Sequence, residues 1–276
     1  MRVAVVGHVE WIEFARVRRV PEPGAIVHAS ETWEEPGGGG AVAAVQLAKL
    51  AGGAVFFTAL GNDALGHRAF AELTALGLRV EAAWRDEPQR RGFVHVDDRG
   101  ERTITVIGER LGPSGSDDLP WADLQSAEAV YFTAGDGGAL VHARSARRLV
   151  ATARHLAPIA EAGVQVDVLV ASAADAGERY ERGQVSPQPQ AVVRTAGDRG
   201  GKWEDAGGTS GGWDATPLPG PVSDAYGCGD SFAAGLTYGL GADLALPDAL
   251  TLGARCGAAN FTGRGPYAGQ LTAADL

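Results

Sequence analysis

The chain has 276 residues, 45% of them hydrophobic and 21% charged, enough to bury one large core or two small ones. Its 24 Lys+Arg against 34 Asp+Glu leave a formal charge of −10, a field that repels nucleic acid and anionic membrane surfaces. The short basic runs RVRR at 16–19 and QRR at 89–91 read as solvated faces. Cys228 and Cys256 form no CxxC and no metal-type spacing with the six histidines, which excludes a disulfide scaffold and a zinc site and suits a reducing compartment. The apolar run before Gly7 is too short for a signal peptide and no later run approaches a membrane span, so the expectation is a soluble, cytoplasmic protein.

In chain order, Val3–Val6 reads as a buried strand ending at Gly7. Glu13–Trp33 reads as a strand pair. After the glycines at 37–40, Ala41–Leu50 is apolar nearly all round, as a helix buried between layers would be. Ala54–Ala59 is a second strand, and Gly66–Leu76 an amphipathic helix with Phe70, Leu73 and Leu76 on one face. Arg90–Ile107 reads as a second strand pair turning at DDRG, 97–100. Ala129–Thr133, Asp167–Val170 and Ala191–Thr195 are further strands, and the Gly, Pro and Asp of 197–221 favour a hairpin or flexible crossing. Strands alternating with helices imply an α/β fold with a mostly parallel sheet covered on both faces. The expected division is a main domain of 1–12, 37–87 and 113–276, with a small antiparallel β lid built from insertions 13–36 and 88–112.

Three enzyme signatures fail on context. GTSGG, Gly208–Gly212, matches the nucleophile-elbow spacing around Ser210, but glycines and Trp-Asp flank it where a strand and a helix are needed. AGDRGGKW, Ala196–Trp203, lacks the first glycine and the metal-binding hydroxyl of a P-loop. Gly7 follows a strand without the later glycines of a dinucleotide fingerprint.

The stretch DAYGCGDSFAAGL, 224–236, is different. Phe232, Leu236 and Leu240 recur at helical spacing, so a helix begins at about Gly227–Asp230. A helix start presents unpaired N–H groups and the positive end of the macrodipole, and small residues let an anion approach them. Asp230 could be a plain cap. With a phosphoryl group on those amides, it could instead take the proton of an incoming hydroxyl.

DAYGCGDSF resembles the C-terminal signature of the ribokinase-like (PfkB) carbohydrate kinases, and GGGGAVAAVQLAKLAG, 37–52, with ALGNDALG, 59–66, resembles their N-terminal one. The resemblance spans nearly the whole chain. It implies ATP-dependent phosphorylation of a sugar or nucleoside hydroxyl with Mg²⁺, and often dimers joined through the lids. On it, Asp230 is the catalytic base and the amides of Gly227, Cys228 and Gly229 are the anion hole. Asp224 falls where many members bind a monovalent cation such as K⁺, or is structural. Asp175, in Ser172-Ala173-Ala174-Asp175, is the retained acid of the N-x-x-E motif that organises Mg²⁺ through water. Thr195, Gly197 and Gly200 match the start of the nucleotide site, and Asn260 ends the helix RCGAAN, 255–260, that resembles the adenine-pocket helix.

The acceptor side departs from the family pattern. Ile12 stands where many members have an acceptor-binding Asp, and Val42 where they have an Asn. Glu10 or Glu13 could supply a displaced contact, Trp11 could stack on a ring or pack in the core, and Gly38 and Gly39 could admit the substrate to the backbone. A non-catalytic sugar- or nucleoside-binding regulator on the same scaffold is the alternative these losses motivate.

Overall fold

The computed structural model describes residues 1–276. Nine strands form the main sheet: β1 (Val3–Val6), β4 (Ala54–Gly61), β5 (Leu78–Arg85), β8 (Ala129–Phe132), β9 (Arg148–Thr152), β10 (Val168–Ser172), β11 (Ala191–Thr195), β12 (Gly201–Asp205) and β13 (Ser210–Trp213). Their order is β13-β12-β11-β10-β9-β8-β1-β4-β5. Pairing is parallel from β5 to β11 and antiparallel only in the β11-β12-β13 edge, which is the hairpin expected over 197–221. Six helices cover the sheet: α1 (Gly39–Ala51), α2 (Ala64–Ala75), α3 (Gly137–Ala143), α4 (Leu156–Ala162), α5 (Cys228–Gly241) and α6 (Leu246–Asn260).

Two cores follow from this layering. One lies under α1, α5 and α6 and includes Val5, Val45, Leu47, Phe56, Phe232 and Leu236; the other lies under α3 and α4, around Val6, Phe57, Phe132, Leu140 and Leu169. Adjacent β1 residues therefore serve opposite faces, as period-two side chains must. Helix α1 is apolar all round because it is buried all round; only Gly39 and Lys49 of its first twelve residues retain appreciable exposure.

The second sheet, β3-β2-β6-β7, stands off the first. It consists of β2 (Glu10–Arg16), β3 (Glu31–Gly37), β6 (Arg91–Val96) and β7 (Arg102–Ile107). Each hairpin is antiparallel, and the two hairpins join through a parallel β2–β6 pair. This is the lid. Its outer strand β7 is exposed along its whole length, with Ile104, Val106 and Ile107 open. At the far end, the amide of Ala225 donates to Gly100 O at 2.9 Å, and Arg16 Nη1 donates to Ser223 O at 3.1 Å. The turn of the second lid hairpin thus rests on the loop that leads into α5.

Candidate active site

The cleft between the sheets lies at the carboxyl ends of the parallel strands, where open α/β sheets place their ligands. Gly7 and His8 follow β1, Arg154 and His155 follow β9, Asp175 and Glu178 follow β10, and Thr195 ends β11. Helix α5 aims its N-terminus at the same place.

The start of α5 is built by glycine. Gly227 is the N-cap with φ +80, a left-handed conformation, and a Cβ there would lie 2.8 Å from Val42 Cγ1. The amides of Gly227, Gly229 and Asp230 have no backbone acceptor, and an added Cβ on Gly229 would meet open space. Of the expected anion-hole amides, that of Cys228 is turned towards Ala225 O at 3.5 Å, a weak bond, so Asp230 N is the third free donor in its place. Burial pushes the Cys228 thiol up to about 11, which keeps it protonated and unreactive.

Asp230 sits in the first turn of α5, partly open to the cleft. Its Oδ1 is 2.7 Å from where Gly39 would carry a Cβ, so the glycine at the start of α1 makes room for this carboxylate. Burial foremost, then the nearby carboxylates of Glu178 and Glu10, raise its pKa to about 7 against the opposing pull of Arg102 and Arg154. Gly227 is the cap, and the Asp230 side chain makes no capping hydrogen bond to an α5 amide. A carboxyl poised near neutrality is what general-base work needs.

The glycine run continues the wall. Gly38, at φ +85, donates its N–H to the Tyr226 hydroxyl at 2.9 Å and would press a Cβ against Glu10 N at 3.0 Å and His8 Cδ2 at 3.2 Å. Glu10 is buried, with Oε1 2.8 Å from Arg90 Nε and 3.8 Å from His8 Nε2. Burial raises its pKa while Arg90 pulls the other way. His8, Glu10, Gly38, Gly39 and Asp230 are therefore contiguous.

Several expected site residues lie elsewhere. Trp11 alternates to the opposite face of β2 from Glu10: it is 1% exposed, Arg68 covers its ring at 4.3 Å, and its Nε1 donates to Glu34, leaving no face for a substrate ring. Glu13, at the lid surface, faces Arg91 Nη1 at 3.7 Å. Asn260 is 0% exposed and donates from Nδ2 to Tyr226 O at 2.8 Å, so it supports the α5 loop from below and reaches no nucleotide. Asp224, equally buried, accepts from Tyr226 N at 2.8 Å and Gly265 N at 3.1 Å, one amide on each oxygen. That ties two loops together.

On the nucleotide side, Thr195 pairs in register with Ser172, and its Oγ1 donates to Ala171 O at 3.3 Å. Gly197 is open, whereas a Cβ on Gly200 would strike Trp213 O at 2.0 Å, so Gly200 closes the β11–β12 turn. Asp175 is exposed, caps the short turn 176–178 and pairs with Arg154, as does Glu178 at 2.7 Å. With both acids on one guanidinium, and no group of three or more His, Cys, Asp or Glu placed around a common point, these residues form no resident metal cage. Glu178, the first charge acting on Asp230, was hidden in the sequence behind the motif acid three residues earlier.

Arg110 and His155 at the acceptor end, and Arg154 between the two sides, had no sequence signal, whereas Arg90, in the run QRR read as a solvated face, is only 14% exposed and pairs with Glu10. Arg110 Nη1 lies 2.6 Å from His155 Nε2. Burial first, then Arg110 and Arg154, bring the His155 pKa down to about 4. Burial and the same guanidinium groups hold His8 well below the usual imidazole range. Both rings are neutral near pH 7.

A family model described as pfkB family carbohydrate kinase matches residues 1–186 and 181–273. The chain belongs to that family. No curated protein matches it. Among solved structures, it is similar to a putative ribokinase from Agrobacterium tumefaciens, at 20% identity and TM-score 0.82, covering 99% of this chain and 95% of that one. It is also similar to Arabidopsis thaliana ribokinase complexed with ribose and ATP, at 18% identity and TM-score 0.73, with 99% and 96% covered. A third is adenosine kinase from Sinorhizobium meliloti, at 18% identity and TM-score 0.73, with 96% and 95% covered. These are likenesses of fold over nearly the whole chain. No helix is long and apolar enough to cross a membrane.

Proposed function

We propose that this protein is an ATP-dependent kinase that phosphorylates a hydroxyl of a sugar or sugar-like small molecule. The observation that carries the reading is Asp230: a carboxyl with a pKa raised to about 7, beside free amides at a helix start and walled by Gly39. The γ-phosphoryl group rests on the amides of Gly227, Gly229 and Asp230, which stabilise its oxygens as charge redistributes. Asp230 takes the acceptor's hydroxyl proton as that oxygen bonds to phosphorus. The bond from phosphorus to the bridging oxygen breaks, and that electron pair leaves with ADP. The phosphoryl donor is Mg-ATP, the ion arriving with the nucleotide's phosphates and completing its shell with water. Thr195 and Gly197 lie on the nucleotide side. The exposed apolar edge of β7 suits a homodimer joined lid to lid.

The test is a panel of sugars, nucleosides and polyols with Mg-ATP, followed by ADP release, with Asp230→Asn in parallel. Turnover of an acceptor by the wild type and loss of most of it in the variant, with nucleotide binding intact, is the expected result. Equal turnover in both removes Asp230 as the base. Acceptor binding without turnover across the panel favours a sugar-binding regulator, the reading that Ile12 and Val42 in place of polar side chains would suit.

A further inference from the structure

The acceptor end of the cleft holds a guanidinium that no carboxylate of the chain pairs. Three guanidinium groups converge there, and two are accounted for: Arg90 by Glu10 at 2.8 Å, and Arg154 by Asp175 and Glu178. Arg110, which follows β7 where the chain returns from the lid, has no carboxylate within ion-pair distance. Its one polar side-chain contact is the neutral His155 ring, and its Nε, like that of Arg90, is buried without a hydrogen-bond partner. His8, whose pKa burial and then Arg110 depress, is 7% exposed with Nδ1 buried and unpartnered. His8 and Asp230 both approach Gly39: a Cβ there would be 3.7 Å from His8 Cε1 and 2.7 Å from Asp230 Oδ1.

A half-buried guanidinium with no counter-ion and an unsatisfied donor is costly, and proteins keep such groups where a ligand supplies the missing charge. We infer that Arg110, with His155 and His8 beside it, binds an acidic group of the acceptor, so that the substrate is a sugar acid whose carboxylate lies at Arg110 while its reacting hydroxyl lies at Asp230. This rests on the kinase reading above.

The pairing of charges favours a carboxylate. Pair by pair, Glu10 is set against Arg90 and two acids against Arg154, so Arg110 is the one guanidinium of the three without a carboxylate of its own, and one carboxylate would complete it. A sugar phosphate would bring up to two negative charges to a site that still holds Glu10. The guanidinium fork matches a carboxylate in two parallel hydrogen bonds. The departures at Ile12 and Val42 also find a place here: the acceptor's free energy of binding moves from neutral hydroxyl contacts to one charged anchor.

Binding is measured first, by calorimetry without nucleotide, for four- to six-carbon aldonic and 2-keto-aldonic acids, each beside its neutral aldose or alditol and its aldose phosphate. Turnover with Mg-ATP follows. At least one acid is expected to bind at least tenfold more tightly than its neutral counterpart. Arg110→Gln is expected to raise its Kd and KM by at least tenfold and to collapse the acid-to-neutral ratio of kcat/KM, while the KM for Mg-ATP moves less than twofold. Arg110→Lys is expected to recover part of the loss by keeping the charge. Neutral sugars binding as well as every acid would overturn the inference, as would phosphates binding best, or a variant whose defect lies in the KM for Mg-ATP. Tight, Arg110-dependent binding of an acid without any ADP release would uphold the inference and sink the kinase reading instead.

Discussion

The two ends of the cleft are built from different materials. At the proposed phosphoryl end the site is mostly backbone: a left-handed Gly227, free amides and one carboxylate, all within four consecutive residues. At the acceptor end, side chains from separate segments meet: His8 and Glu10 on the way into the lid, Arg90 and Arg110 at its other junctions, and Arg154 and His155 after β9. A backbone site can serve any acceptor because it reads only the transferred group. A side-chain site can be rewritten one residue at a time without disturbing the chemistry. One family can therefore keep its reaction and change its substrate.

The sharpest way to break this division is at Asp230. Asp230→Asn should lower kcat by about a thousandfold, the range of general-base catalysis, with the KM for Mg-ATP within about threefold. In the wild type, kcat/KM should fall as pH drops through about 7 and Asp230 takes up its proton; a flat profile from about 5.5 to 8 would show that this carboxyl is not the base. Next in size is Gly227→Ala. A Cβ 2.8 Å from Val42 Cγ1 on a residue at φ +80 strains the loop, at a cost of about 1–3 kcal/mol, and should reduce kcat for every acceptor alike. A change in acceptor preference from this substitution would mean that the two ends are not separable.

Smaller effects sharpen the picture. Asn260→Leu strands the Tyr226 carbonyl and should cost about 1–3 kcal/mol, seen as a lower midpoint in urea. The raised pKa of Asp230 also has a stability consequence with a definite sign. The folded state holds the Asp230 proton more tightly than the unfolded chain does. Its contribution is therefore complete below the unfolded value near 4 and is lost as pH rises through about 7. Asp230→Asn should accordingly stabilise the protein more at pH 8 than at pH 5, by about 1–2 kcal/mol, in paired thermal melts. Ser210→Ala, on the exposed edge strand β13, should change turnover by less than about twofold.

The phosphoryl end was legible in the sequence because its parts are contiguous and because a helix start with glycines has a recognisable local pattern. The α/β alternation was legible too, through apolar runs such as Val3–Val6 and Ala191–Thr195, which match β1 and β11. Strand β5 was less so: its interior side chains are mostly half-buried, and its pattern LRVEAAWR alternates poorly. At the acceptor end, Arg110 and His155 are 45 positions apart and carry no periodic signal, so only the fold brings them together. Trp11 could have been placed by counting along the strand, since in β2 it must face away from Glu10 and Ile12. Asn260 shows the opposite difficulty: a polar side chain ending a helix looks like a ligand contact until burial reveals that its partner is backbone.

The lid's attachments give it the mechanics of a lever. Glu10, Gly38, Arg90 and Arg110 sit at or beside the points where chain crosses between the two sheets, so they mark its fulcrum, while Gly100 at the far tip is hydrogen-bonded to Ala225, two residues before Gly227. A rotation of the lid displaces the fulcrum least and the tip most. On the proposed kinase reading, a change in the angle of the lid would leave the proposed acceptor anchors nearly in place and would be felt chiefly in the loop that leads into Gly227.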